Sequence, residues 1–118
     1  MKKNSFSKSQ RILTPDEYKL VFNKPIKKIH SDHLLLFVQK NNTKKPRLGL
    51  AITKKKLKHA VMRNWTKRLA REYFRHVALE IGSVDVVLIV KKSFTKECDI
   101  HGELNHLFGK LRTYHPAS

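Results

Sequence analysis

The sequence predicts a small α+β domain, a two-layer sandwich with element order α-β-β-β-α-β-α on a small mixed sheet. Three observations predict it. Apolar residues recur at helical spacing around Tyr18, from Val61 to Val77 and from Leu104 to Leu111. Four short runs, 26–30, 34–40, 47–53 and 84–90, are alternating or continuously apolar. Pro25, the polar loop Asn41–Pro46 and Gly82 punctuate the chain between these segments.

Residues 1–13 are polar and basic apart from Phe6, Ile12 and Leu13, and are expected to be mobile, as are 114–118. The first helix is expected from Thr14. Thr14 and Glu17 have capping-box spacing, and Pro15 takes the first helical position, where a missing N–H costs nothing. Tyr18, Val21 and Phe22 share a face, and Pro25 blocks extension. Ile26–His30 and Leu34–Lys40 read as strands around a Ser31-Asp32 turn. Arg47–Thr53 alternates Leu48, Leu50 and Ile52 on one side with Arg47, Gly49, Ala51 and Thr53 on the other. The small residues at 49 and 51 leave that second face open to close approach, by the protein's own packing or by a partner. A long helix follows, with Gly82 as its stop. Val84–Val90 is a central strand covered on both faces. The last helix starts at or beside Asp99 and runs to about Arg112, with Leu104, Leu107, Phe108 and Leu111 as its stripe.

Function concentrates between Lys54 and His76. Nine cations (Lys54, Lys55, Lys56, Lys58, Arg63, Lys67, Arg68, Arg71, Arg75) stand there against one acid, Glu72. At about 100° per residue, Val61, Met62, Trp65, Leu69, Tyr73 and Val77 fall on one arc. Arg63, Asn64, Lys67, Arg68, Arg71 and Arg75 fall on the opposite arc. One face docks on a core while the other presents guanidinium and ammonium groups. A merely solvated face mixes signs, with Glu four residues ahead of Lys or Arg. Here Glu72 alone could serve, so the pattern suits a polyanion with regularly spaced charges, a nucleic-acid backbone.

Composition points the same way. The formal charge is +17 and the pI about 10.3, which favours an anionic macromolecular partner. The longest apolar runs, such as Val86–Val90, fall far short of the roughly twenty residues of a membrane span. No apolar stretch of signal-peptide length follows Lys2 and Lys3, so a cytoplasmic location without membrane contact is expected. Cys98 is a lone cysteine, which excludes an internal disulfide and a thiolate zinc site. The nine acids are scattered and form no cluster suited to a two-metal nuclease. His30 and His33 straddle a turn, His101 and His106 lie on different faces of a helix, and no glycine-rich phosphate loop is present. A His-plus-Lys ribonuclease pair leaves no fixed spacing, so a protein nuclease stands as a competing reading.

The same stretch carries a resemblance. Arg47 and Gly49 precede a lysine turn with Lys55. Ala60, Val61, Arg63, Asn64, Lys67, Arg68, Arg71, Glu72, Phe74 and Arg75 then follow at fixed spacing on one helix. This pattern resembles the bacterial ribonuclease P protein family, and chain length and element order extend the likeness to nearly the whole sequence. Two positions depart from it. Trp65 stands at the third position of the Arg-Asn-Arg signature and removes a cation. The Lys58-His59 pair replaces a glycine before Ala-Val.

The resemblance implies a fold similar in topology to one domain of a small-subunit ribosomal protein. It also implies a left-handed crossover through the basic helix, where the general rule gives a right-handed one. Residues 1–118 would form a single RNA-binding domain, monomeric and in a 1:1 complex with the ribonuclease P RNA subunit. That RNA would perform the hydrolysis with Mg²⁺, removing the 5′ leader of precursor tRNA. The protein would supply no catalytic residue, no metal site and no organic cofactor. By the same resemblance Lys54, Lys55, Lys56, Arg63, Asn64, Lys67, Arg68, Arg71 and Arg75 face the RNA subunit. Tyr18, Phe22, Phe37 and Arg47 line a cleft between the sheet and the basic helix that holds the single-stranded leader. Read as residues alone, the three rings suit core packing as well as base stacking. Asn64 suits an RNA contact or a local bond, and Trp65 favours packing over stacking. The alternative function is a ribosomal or general RNA-binding protein without a catalytic RNA partner.

Overall fold

The structure, a computed structural model, describes residues 11–12, 15–41 and 45–113. Its elements are α1 Pro15–Asn23, β1 Lys27–His30, β2 Leu34–Lys40, β3 Arg47–Ala51, α2 Ala60–Val77, β4 Val84–Val90 and α3 Ile100–Thr113. The expected order is found. The expected cap, Thr14, and residues 1–10 and 114–118 lie outside the described residues. Arg11 and Ile12, expected in a mobile start, instead join the sheet. The Ile12 N–H donates to the Leu48 carbonyl at 3.0 Å, and the Ile12 side chain is buried. This covers part of the open edge of β3.

The strands lie in the order β1-β2-β4-β3. β1 and β2 pair antiparallel, as do β2 and β4, whereas β3 runs parallel to β4. β4 is therefore central, which explains its apolar character on both faces. The parallel pair is joined through α2, so the C-terminal ends of β3 and β4 lie side by side at one edge of the sheet.

Alternation divides the strand residues between two clusters. Leu34, Leu36, Val38, Leu48, Val86 and Leu88 pack with α2 and α3. Leu35, Phe37 and Val87 face the other way and pack with Ile12 and with Val21 of α1. The two main layers are thus the sheet and the α2–α3 pair, with α1 on the outer face.

Two helix ends show how local chemistry fixes boundaries. α2 stops at Val77 rather than running to Gly82. The Ala78 N–H still bonds the Phe74 carbonyl at 2.9 Å, but the Glu80 N–H bonds Val77 at 2.9 Å, a tighter turn that tucks Ile81 into the core. α3 is capped by Asp99, whose Oδ1 accepts the Gly102 N–H at 3.0 Å.

Glu103 ties α3 to the β1–β2 turn. Its Oε1 accepts from Ser31 Oγ at 2.6 Å and from the His33 N–H at 2.8 Å, and its Oε2 meets His33 Nδ1 at 2.6 Å. Burial raises the carboxyl pKa, but the hydrogen bonds from Ser31 and His33 outweigh it and hold the group below its ordinary value of 4.5. A depressed folded pKa contributes stability that is present above the unfolded value and lost as pH falls through the folded one. The stability gap between the wild type and Glu103→Gln should therefore be full above pH 4.5 and shrink on acidification below it. Urea unfolding across that range checks this, and a gap independent of pH would contradict it.

Candidate nucleic-acid interface

α2 presents a different face to the core from the one its bulky residues suggest. Thr66, Ala70, Phe74 and Val77 are buried, while Val61 is 67% exposed. Met62, Trp65, Leu69 and Tyr73 are half-buried against the edge of the core. The buried face is rotated by roughly 90° from the expected arc, given 100° per residue. Thr66 reads as polar, yet its Oγ1 donates to the Met62 carbonyl at 2.8 Å and the hydroxyl is satisfied inside. Tyr73 turns toward α3, with its ring 6.5 Å from that of Phe108 and its hydroxyl 3.2 Å from His101 Nδ1.

The cations occupy the flank that this rotation leaves at the surface. Asn64, Arg68 and Arg71 are exposed, and Arg63, Lys67 and Arg75 are half-exposed. Their roles differ. Arg63 Nη1 donates to the carbonyls of Leu57 at 2.9 Å and Lys58 at 2.8 Å, so it holds the lysine turn against the helix. Arg75 pairs with Glu72 at 2.5 Å. Lys67 and Arg68 make no ion pair among the described residues, and the Asn64 side chain makes no local hydrogen bond there. Lys54, Lys55 and Lys56 stand exposed on the turn after β3. The first turn of α2 holds no acidic residue and His59 gives it no side-chain cap, so the positive end of the helix is left uncompensated.

Sequence reading missed Lys92 as a neighbour of the lysine turn, whereas the Lys91 ammonium turns away, 3.5 Å from His30 Nδ1 on β1. Both follow β4, and parallel pairing brings the end of β4 beside the end of β3. Ser93 Oγ donates to the Lys56 carbonyl at 2.6 Å, which joins the two lysine-bearing loops. A parallel β3–β4 pair is the signal that would have found Lys92.

The expected cleft between the sheet and the basic helix is closed. That sheet face is filled by Leu36, Leu48, Val86 and Leu88 packed with Phe74 and Ala70. Tyr18, Phe22 and Phe37 lie on the opposite face, with α1. Phe22 meets Phe37 edge-on at 5.2 Å and lies 6.4 Å from Tyr18. Lys28 Nζ stands 5.6 Å from the centre of the Phe37 ring. Phe22 is 37% exposed whereas Phe37 is buried, so this is a packed aromatic group with one accessible ring. Tyr18 also explains Gly49. A Cβ there would come within 2.7 Å of Tyr18 Cε1, and the Tyr18 hydroxyl accepts the Leu50 N–H at 3.2 Å. The open face of β3 is filled by the protein's own ring.

Arg47 is enclosed by carboxylates. Its Nε and Nη2 bond the two oxygens of Asp85 at 2.8 and 2.7 Å, and its Nη1 bonds Glu17 at 2.6 Å. Asn41 Nδ2 adds a bond to Asp85 at 2.8 Å. The hydrogen bond to Asp85 raises the guanidinium pKa, burial opposes it, and Glu17 reinforces it. The side chain fastens α1 to β3 and β4, and its charge is balanced within the fold.

Five of the nine acids are likewise committed to local structure: Asp85 and Glu17 to Arg47, Glu103 to Ser31 and His33, Glu72 to Arg75, Glu80 to Arg112. Among the described residues no group of three or more His, Cys, Asp or Glu could hold a metal ion. No helix among them is long and apolar enough to cross a membrane.

Comparison with known proteins agrees with this geometry. Residues 6–112 match the sequence model of a family described as Ribonuclease P. The chain is 47% identical over 88 residues to the ribonuclease P protein component of Psychrobacter sp. (strain PRwf-1), covering 75% of this chain and 68% of that one. It is 41% identical over 111 residues to that of Pseudomonas aeruginosa (strain LESB58), covering 94% and 81%. The structure of a Staphylococcus aureus RNase P protein mutant superposes with a TM-score of 0.74 at 25% identity, over 88% of this chain and 86% of that one.

Proposed function

The chain belongs to the bacterial ribonuclease P protein family, as the protein subunit of a tRNA-processing endoribonuclease, and from that premise we propose how it works. The exposed flank of α2, with Lys54–Lys56, grips the RNA subunit, and the hydrolysis takes place in that RNA. The single observation that carries this is the row Lys67, Arg68 and Arg71 on a helix flank that the core does not use. Arginine forks fit phosphate oxygens bidentately, and lysines act as point charges. Arg63 acts on the same surface by positioning the lysine turn. Asn64 is free to reach a base or a sugar.

The 5′ leader of precursor tRNA lies along the outer face with α1. Phe22 offers a ring for an unpaired base, with Tyr18 and Phe37 behind it and Lys28 beside it. Arg47 serves that face by positioning α1, and with it Tyr18 and Phe22. Mg²⁺ would be held by RNA phosphates, in keeping with the lack of any group of three or more His, Cys, Asp or Glu among the described residues. The complex is 1:1 and cytoplasmic. Family membership supports this reading over the alternative of an RNA-binding protein without a catalytic RNA partner.

Arg68→Ala tests the α2 surface. Loss of one charge-assisted contact should weaken binding to ribonuclease P RNA about tenfold, roughly 1.5 kcal/mol. The unfolding free energy of the protein alone should stay within about 0.5 kcal/mol, as for ordinary surface changes. Unchanged affinity with a collapsed unfolding midpoint would place Arg68 in the fold instead.

A further inference from the structure

We infer that Trp65 and Lys96 form one composite contact to the RNA subunit, in which the indole positions the lysine ammonium against a phosphate. This rests on the reading of α2 as the RNA-gripping surface. Lys96 is exposed, in the loop between β4 and α3. Its Nζ stands 5.6 Å from the centre of the Trp65 ring. A cation over an indole face is held by the ring quadrupole. Holding it there removes part of the rotamer freedom that a free lysine gives up on binding. Trp65 is itself oriented, because it packs against the core cluster and His101 of α3 meets its ring at 6.2 Å and 80°.

The pair lies where the α2 charge row would otherwise end. Arg68 is three residues from Trp65 on the helix and is its surface neighbour. Lys96 makes no ion pair among the described residues, and the exposed cations Arg68 on α2 and Lys92 in its own loop belong to the two elements that the Trp65–Lys96 contact joins. Positive charge gathered in this way suits a strand of phosphates. In sequence Trp65 deletes a cation from the row. In the fold it recruits one from 31 positions further along, at Lys96. Lys96 is the contacting residue and Trp65 the positioning one.

The test is binding of the full chain to ribonuclease P RNA between 50 and 200 mM salt. Lys96→Ala should lower the slope of log affinity against log salt by about one. The wild-type advantage then shrinks about fourfold across that range. Lys96→Arg should restore the slope. Trp65→Leu, which keeps apolar bulk without the ring, should weaken binding several-fold at the wild-type slope, with folding checked by its urea midpoint. An unchanged slope in Lys96→Ala, or wild-type affinity in a folded Trp65→Leu, would overturn the inference. Failure of the wild-type chain to bind the RNA would overturn the reading of α2 instead.

Discussion

Replacing Arg47 by alanine should destabilise the protein by about 3–5 kcal/mol, the usual cost of removing one partner from a buried pair. Asp85 is 6% exposed and sits inside the sheet on β4, bonded to Arg47 through both oxygens. Without the guanidinium it keeps, among the described residues, the Asn41 amide alone, and a carboxylate in that position without a cation is expensive. Glu17 loses its bond to Arg47 too, and with it a tie between α1 and the sheet. Arg47→Lys should recover little, because an ammonium cannot make the fork. Replacing Arg47 and Asp85 together by apolar residues of similar size should be far milder than either single change. Urea unfolding of the wild type, the apolar variant at Arg47, the apolar variant at Asp85 and the double variant measures this as a double-mutant cycle. A stable Arg47→Ala protein that has lost affinity for precursor tRNA would reverse the assignment and return Arg47 to direct leader contact.

RNA binding should be steeply salt-dependent. If the α2 flank and the two lysine loops neutralise 6–10 phosphates, affinity should fall by about 10³–10⁵ between 50 and 200 mM salt, because binding releases condensed counterions. The chain's charge of +17 supplies the attraction, and the scarcity of acids on α2 concentrates it. Filter or gel-shift titrations with ribonuclease P RNA give the slope directly. A nearly flat response would mean that apolar or base-specific contacts dominate.

Element order was legible because each element carries a local signal. Pro15 opens α1, Asp99 caps α3, and the alternation of β3 matches its two faces. What failed was rotation and neighbourhood. Following the bulky Trp65, Leu69 and Tyr73 turned α2 by about a quarter of a circle, because small Ala70 and self-satisfied Thr66 carry little hydropathy signal. Tyr18, Phe22 and Phe37 do pack together, but on the α1 face of the sheet and not between the sheet and the basic helix. Whether α1 shares a face with α2 is set by the parity of residues in β2 and β4 relative to both helices, a non-local fact. The ion pairing of Arg47 was not legible because its partners lie 30 and 38 positions away. Lys92 read as an ordinary strand-end charge, because only the parallel β3–β4 pair and the Ser93–Lys56 bond bring its loop to the Lys54–Lys56 turn.

The central claim is that this fold grips RNA while the phosphodiester is broken within the RNA partner. Cleavage of precursor tRNA at low Mg²⁺ tests it most directly, comparing RNA subunit alone, RNA with protein, and protein stripped of all RNA. The account predicts that the protein accelerates the RNA-dependent reaction and does nothing alone. Leader removal by the RNA-free protein, abolished by changing one of its side chains, would contradict it.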